Sequence, residues 1–214
     1  HFTLPDLRRR RSAKWRVYPD DVLPLWIAEM DVPLAEPIAR ALRHAIDLVD
    51  TGYAAGDGYA RALGAFAERR WGWRDVPVED VRQVPDVRRG IVEVVKLVSD
   101  DGDPVVLTAP VYPPFYAFLG DARRRIVESP LTQAGRIDLA ALADTLARLA
   151  AEHRRVVLLL SNPHNPTGAV HTFAELQAVA EMAREYRTRV VVDEIHAPLV
   201  LRGATFTPYL TVPG

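Results

Sequence analysis

The sequence contains no cysteine among its 214 residues. This absence excludes disulfide bonds, zinc sites built on thiolates and catalysis by a cysteine nucleophile. Neither sign of charge is in marked excess, since 27 lysines and arginines stand against 28 aspartates and glutamates. A balanced charge gives no overall electrostatic attraction to nucleic acid, so we expect no nucleic-acid partner.

Long hydrophobic segments are also absent. No apolar run approaches the roughly 20 residues that a membrane-spanning helix needs. No apolar stretch follows the charged residues near the amino end, as it would in a signal peptide. We therefore expect a cytoplasmic protein without a membrane partner.

Helix-like and strand-like segments alternate along most of the chain. Apolar residues recur at helical spacing in four segments: residues 36–50, 59–71, 87–98 and 138–152. A further helix is predicted to run to about residue 186, because Thr172 and Glu175 form a capping box at its start. Short apolar runs predict buried strands at residues 105–107, 156–160 and 190–192. Residues 125–128 are predicted to form a shorter strand. This alternation predicts an α/β fold with a mainly parallel sheet.

Polar or aromatic clusters directly follow three of the predicted strands: residues 108–114 (TAPVYPP), 161–168 (SNPHNPTG) and 193–196 (DEIH). Ligands of open α/β sheets bind outside the carboxyl ends of the strands, so these clusters could meet in one crevice. A carboxylate, an amide and an aromatic ring there would suit a flat heteroaromatic ligand, and the helix starting near Asp86 would add an anion site. The alternative is that Asn165 and Asp193 only cap the segments after them and that Tyr112 only packs.

The sequence words of these clusters resemble a known enzyme family. Residues 165–168 (NPTG) followed by residues 193–196 (DEIH) resemble the class I/II aminotransferase pattern of fold-type I enzymes that use pyridoxal 5'-phosphate (PLP). Together with residues 161–164, three further segments are similar to its cystathionine β-lyase branch, the PatB/MalY type of C–S lyase: residues 25–31 (LWIAEMD), 52–53 (GY) and 111–116 (VYPPFY). The resemblance implies a PLP-dependent transferase large domain of fold-type I, over residues 36–214, with residues 1–35 as an amino-terminal arm of the small domain.

The resemblance also implies a role for each matching residue. Asp193 would pair with the pyridine nitrogen of PLP and keep it protonated, which makes the ring an electron sink. Asn165 would hydrogen-bond the phenolic oxygen, in a turn where the Asn165–Pro166 bond is expected to be cis. His196 would be a second partner of that oxygen, or else a structural histidine. Tyr112 would stack on the pyridine ring.

The phosphate group is expected at the amino end of the helix that begins near Asp86, on the backbone N–H groups of Val87 and Arg88. The sequence departs from the family here, because Asp86, Arg88 and Arg89 stand where relatives mostly carry small and apolar residues. Tyr53 resembles the tyrosine that reaches the phosphate of the neighbouring subunit, which implies a homodimer with a shared active site.

The family holds PLP as a Schiff base on one lysine, about thirty residues beyond the aspartate. The chain has two lysines, Lys14 and Lys96, and neither matches that position. We expect the lysine to lie after Gly214, so that the chain is an amino-terminal fragment without its catalytic residue. The family's carboxylate-binding arginine is expected in the same missing part.

The resemblance predicts a PLP-dependent C–S β-lyase that acts on cystathionine or a cysteine S-conjugate, a small amino-acid substrate. Two alternatives stay open. The first is an amino acid aminotransferase on the same scaffold, since both reactions begin with loss of the Cα proton. The second is a non-catalytic binding or regulatory protein, because a fold does not fix a function.

Overall fold

A computed structural model describes residues 2–213 of the chain. The chain divides into two compact units, His1–Gly56 and Asp57–Gly214. The predicted boundary at residue 35 concerns the domains of the whole protein and stays a prediction. Within the described residues, no helix combines the length and the apolar character that crossing a membrane requires.

Within residues 2–56, the first unit has three helices: α1 (Leu4–Arg8), α2 (Ala13–Arg16) and α3 (Glu36–Asp47). Asp31 holds α2 in place, because its carboxylate accepts hydrogen bonds from Lys14 Nζ at 2.6 Å and from Trp15 Nε1 at 3.0 Å. The hydrogen bond from Lys14 lowers the pKa of Asp31 below its ordinary value. This cluster buries the Lys14 side chain.

The second unit contains a four-stranded parallel sheet with helices on both faces. In chain order its elements are α4 (Gly58–Trp71), α5 (Val87–Val98), β1 (Pro104–Ala109), α6 (Pro114–Asp121), β2 (Arg125–Pro130), α7 (Leu139–Glu152), β3 (Val156–Ser161), α8 (Phe173–Glu185) and β4 (Thr188–Asp193). The strands lie in the order β2-β1-β3-β4, and all three neighbouring pairs are parallel. The predicted α/β fold with a parallel sheet is therefore confirmed.

Two apolar cores lie on opposite faces of the sheet. One core joins α5 and α6 to alternate residues of the strands, such as Leu107 and Leu159. The other joins α7 and α8 to the intervening residues, such as Val106 and Leu158. Every residue of β3 is buried, as predicted for a strand that helices cover on both faces.

The helix caps agree with the sequence. The side chain of Asp86 accepts a hydrogen bond from the Arg89 N–H, and that of Asp138 accepts one from the Ala141 N–H. Thr172 and Glu175 form the expected capping box. These caps use only neighbours along the chain, so local sequence is sufficient to predict them.

The buried face of α5 differs from the predicted one. Helical spacing placed Val87, Ile91, Val94 and Val98 on one face. In the structure Ile91 is buried with Val92 and Val95, whereas Val87 and Val94 are exposed. The helix is thus rotated about its axis, so that its buried face is centred on Ile91, Val92 and Val95.

Candidate active site

The order of the strands marks one place in the sheet where a crevice forms. From β1 the chain proceeds outward to β2, whereas β3 and β4 lie on the other side of β1. The connections that follow β1 and β3 therefore leave the sheet in opposite directions. Such a switch point opens a crevice at the carboxyl ends of the two strands, where α/β proteins bind their ligands.

The amino end of α5 lies level with the same edge of the sheet. α5 packs against the sheet, and only the short loop of residues 99–103 joins it to β1. The helix must therefore run antiparallel to the strands. Its 12 residues span about 18 Å and the six residues of β1 about 20 Å. The first turn of α5 thus reaches the carboxyl end of the sheet.

Asp193 is the last residue of β4 and lies on the face of the sheet that α5 covers. It pairs in register with Ser161, and Val191, two residues earlier, packs against the core that contains α5. One carboxylate oxygen accepts a hydrogen bond from the Ile195 N–H at 3.1 Å. Among the described residues, no lysine or arginine forms an ion pair with this carboxylate.

Burial raises the pKa of the Asp193 carboxyl above its ordinary value, although the Ile195 N–H and the nearby His196 oppose the shift. The structure therefore contains a half-buried carboxylate at a strand end that forms no ion pair with a lysine or arginine of the described residues. Such a group favours a ligand that brings a positive charge.

Asn165 follows β3 in a turn that its neighbours hold by several hydrogen bonds. Its N–H donates to Ser161 Oγ at 3.4 Å, and the Gly168 N–H donates to the His164 carbonyl at 2.8 Å. The Asn165–Pro166 bond is cis, as the resemblance predicts. Within residues 2–213 the side-chain amide of Asn165 has no hydrogen-bond partner, so it is available to a ligand.

Tyr112 follows β1, on the other side of the switch point. Its ring is partly exposed and meets the rings of Phe115 and Phe118 edge-on, with centroid distances of 5.6 and 6.4 Å. These contacts leave part of the ring free, so both packing and stacking on a ligand are compatible with its position.

Two backbone N–H groups at the start of α5 are available to a ligand. Because the Asp86 carboxylate accepts from the Arg89 N–H at 2.8 Å, that donor is not available to a ligand. The N–H groups of Val87 and Arg88 have no hydrogen-bond partner in the described part of the chain. The guanidinium of Arg88 is engaged, 3.2 Å from the Asp121 carboxylate and 4.5 Å above the Phe118 ring. These two backbone N–H groups therefore lack a partner within the described residues, whereas the Arg88 side chain already has one.

The remaining predicted residues lie as follows. His196 precedes the short 3-10 helix Ala197–Leu199 and lies near enough to Asp193 to oppose the rise in the pKa of that carboxyl. Tyr53 belongs to the first unit, where its side chain is fully exposed. Neither lysine is free: Lys14 is buried against Asp31, and Lys96 lies on α5 beside Glu93.

Sequence reasoning missed two side chains that anchor residues 207–209 to the strand ends. Asn162 is fully buried, and its Nδ2 donates to the Thr207 carbonyl at 3.3 Å. Glu194 accepts a hydrogen bond from the Tyr209 N–H at 2.8 Å, and burial raises its pKa to about 7. Both lie inside the recognised motifs, but only the fold shows which distant segment they contact.

The site lies at a junction of strand ends. A hollow of about 580 Å³ lies elsewhere, along the outer edge of β4, where Thr188, Val190 and Tyr209 form part of its lining. It contains none of the predicted site residues. The candidate site is therefore identified by the polar groups that meet at the carboxyl edge of the sheet.

Comparison with known proteins agrees with this fold. The model of the family "Aminotransferase class I and II" matches residues 53–212. A Mycobacterium leprae protein named "Putative cystathionine beta-lyase" is 54% identical over 216 residues, which cover 100% of this chain and 54% of that protein. The cystathionine beta-lyase of Corynebacterium glutamicum is 35% identical over 201 residues, covering 94% of this chain and 52% of that enzyme.

A solved structure shares the fold. The "putative plp-dependent beta-cystathionase" of Corynebacterium diphtheriae matches with a TM-score of 0.88 and 30% identity, over 99% of this chain and 54% of that one. This match confirms the fold-type I large domain that the resemblance implies. The chain spans about half the length of the curated relatives it matches. By its sequence over residues 53–212, the chain belongs to the aminotransferase class I and II family.

Proposed function

We propose that the protein carrying this chain is a PLP-dependent C–S β-lyase that acts on cystathionine or another cysteine S-conjugate. The observation that carries the proposal is the Asp193 carboxylate at the end of β4, which is partly desolvated and forms no ion pair with a lysine or arginine among the described residues. The likeness to cystathionine beta-lyases supports this branch of the family. Location in the cytoplasm belongs to the same proposal.

The residues at the crevice fit PLP by the chemistry of their free groups. A protonated pyridine nitrogen donates a hydrogen bond and needs an anionic acceptor, which the Asp193 carboxylate would supply. A phenolic oxygen needs a donor, and the amide of Asn165 has no partner in the described chain. A phosphate needs N–H groups at a helix start, and those of Val87 and Arg88 are free there. The ring nitrogen, the phenolic oxygen and the phosphate of the cofactor thus each have a group to bind them.

We assign the work of these residues as follows. Asp193 holds a proton on the pyridine nitrogen, because a desolvated carboxylate is stabilised by a positive charge beside it. Asn165 donates to the phenolic oxygen with His196 as a second partner, and Tyr112 covers one face of the ring. The N–H groups of Val87 and Arg88 bind the phosphate with the help of the helix dipole. When bound, PLP would supply an electron sink for the electron pair that stays on the substrate Cα after its proton is removed.

The reaction proposed cleaves the bond between sulfur and Cβ of the substrate. With cystathionine and one water, the products are homocysteine, pyruvate and ammonia, so atoms balance without an oxidant or a second substrate. An aminotransferase would instead move the amino group to a keto acid and leave the C–S bond intact. The lysine that removes the Cα proton is expected beyond residue 214.

The test is an incubation of the full-length protein, loaded with PLP, with cystathionine and no keto acid. Pyruvate and free thiol in equal amounts are the expected result. Amino transfer that needs a keto acid, with no thiol released, would replace the lyase by an aminotransferase. Absence of both reactions together with absence of PLP binding would leave only a non-catalytic role.

We also propose that the enzyme is a homodimer in which Tyr53 serves the partner's phosphate site. The fully exposed ring of Tyr53 supports this, as do the exposed apolar side chains of α3, Ile38, Leu42 and Ile46. Mixed dimers of Tyr53→Ala and Asp193→Ala subunits test it. If Tyr53 acts across the dimer, one site of each mixed dimer is intact and activity returns. If it acts within its own subunit, both sites stay defective.

A further inference from the structure

His164 bridges the two strands that border the crevice. Its side chain is buried, with 2% of the residue exposed. Nε2 lies 3.3 Å from the carbonyl oxygen of Thr108 in β1, and Nδ1 lies 3.1 Å from Oγ1 of Thr167 in the turn after β3. One imidazole thus contacts both sides of the switch point.

The two contacts define the protonation of the ring. A carbonyl oxygen can only accept, so Nε2 carries the proton and donates to Thr108. Nδ1 then accepts from the Thr167 hydroxyl, which itself accepts from the Ala169 N–H at 3.3 Å. Burial lowers the pKa of His164, which favours this neutral form. The bridge therefore works as two hydrogen bonds and needs no charge.

The bridge lies where the sheet itself stops joining these strands. The β1–β3 pairing ends at Leu107 and Leu159, although β1 stays paired with β2 as far as Ala109. Thr108 is thus beyond the last pair on its β3 side. The contact from His164 takes the place of the missing strand pairing at the base of the crevice.

Each end of the bridge leads directly to a residue assigned to PLP. Thr108 is followed four residues later by Tyr112, and His164 immediately precedes Asn165. Tyr112 and Asn165 stand on separate segments, so their spacing depends on whatever links those segments. Among the described residues, the hydrogen bond from His164 to the Thr108 carbonyl links these segments.

We propose that His164 is a positioning residue that holds the Tyr112 and Asn165 segments at the spacing PLP requires. This rests on the proposed function, because it assigns those two segments to the cofactor. The ring does not touch the ligand. It keeps the crevice preformed, so that binding does not have to order two independent segments.

The experiment measures PLP affinity and the absorbance spectrum of bound PLP in full-length variants. His164→Phe keeps a ring but removes both hydrogen bonds, and His164→Gln keeps a donor for the Thr108 carbonyl. We expect PLP to bind about tenfold more weakly to His164→Phe, as loss of two ordinary hydrogen bonds implies. His164→Gln should recover part of that affinity.

Thr167→Val tests the other end of the bridge with a side chain of similar shape. If the hydroxyl acts through His164, the double variant His164→Phe/Thr167→Val binds PLP no more weakly than His164→Phe. Independent losses that multiply in the double variant would contradict the bridge.

Leu146→Ala is the matched control for general destabilisation, because Leu146 is fully buried in α7, in the core formed with α8. It should lower thermal stability at least as much as His164→Phe and leave PLP affinity within about twofold, since sites without shared partners act independently. If the loss of PLP affinity is proportional to the loss of thermal stability in all variants, including Leu146→Ala, the inference is overturned. If the wild-type protein binds no PLP, the proposed function itself fails; if it binds and His164→Phe binds equally well, only the bridge fails.

Discussion

Protonation of His171 should weaken the fold in mild acid. This histidine is fully buried, and its Nε2 lies 3.2 Å from the Ser161 carbonyl at the end of β3. Its Nδ1 is buried without a hydrogen-bond partner among the described residues. Burial lowers the pKa of His171 from 6.5 to about 4. The folded protein therefore keeps this ring neutral over a pH range where the unfolded chain protonates it.

The sign and size of the effect follow from the two pKa values. Between pH 6.5 and 4 the unfolded state binds a proton that the folded state does not, so the free energy of unfolding falls as the pH is lowered. Each pH unit in this range costs about 1.4 kcal/mol. From pH 7 to pH 5 the loss due to His171 is therefore about 2 kcal/mol.

Urea denaturation of the full-length protein at pH 7 and pH 5 measures this loss. His171→Gln lacks the titrating group but keeps a donor for the Ser161 carbonyl, so its decrease between the two pH values should be smaller by about 2 kcal/mol. His44→Gln removes an exposed histidine of α3 and serves as control. Equal decreases in wild type and His171→Gln would refute the reasoning.

Three further predictions concern other charged and polar groups. Glu194→Gln should be more stable than wild type above pH 7. Burial raises the pKa of Glu194 from 4.5 to about 7, so ionisation of this side chain destabilises the folded state as the pH rises through that range. Equal free energies of unfolding at pH 8 in urea denaturation would contradict this. Arg88→Met should change PLP affinity less than about twofold, since its guanidinium pairs with Asp121 on the surface; a loss of tenfold or more in a PLP titration would show that the side chain binds the phosphate. Tyr53→Phe should release PLP faster during gel filtration of the dimer, and unchanged retention would count against a shared site.

Much of the fold could be predicted because its signals are local. The caps at Asp86, Asp138 and Thr172 depend on a side chain and a backbone group three residues apart. The apolar run of β3 is continuous because helices cover both faces. Such patterns need no knowledge of distant contacts.

Other features depend on which segments meet in space. Helix α6 went unrecognised, since Pro113 and Pro114 at its start suggest a turn, although proline suits the first turn of a helix. The strand order depends on pairing between distant segments, so the switch point between β1 and β3 was not predictable from periodicity. The same holds for His164, whose contact with Thr108 spans 56 positions of sequence.

The location of the candidate site was predictable for a different reason. Polar clusters that follow parallel strands must all lie at one edge of the sheet, so Asn165 and Asp193 were expected near each other. What each side chain binds follows from the family resemblance and stays a prediction. The finding that Asp193 pairs with no lysine or arginine of the described residues, while Arg88 already has an anionic partner, came only from the three-dimensional arrangement.

The most direct test of the central claim is a PLP titration of the full-length wild-type protein and its Asp193→Ala variant, followed by the cystathionine assay. If Asp193 holds the pyridine nitrogen, the variant should bind PLP about tenfold to a hundredfold more weakly, as expected for loss of a charge-assisted hydrogen bond. It should also release no pyruvate from cystathionine at saturating PLP. An Asp193→Ala protein with wild-type PLP affinity and near-wild-type turnover would contradict the assignment of the site.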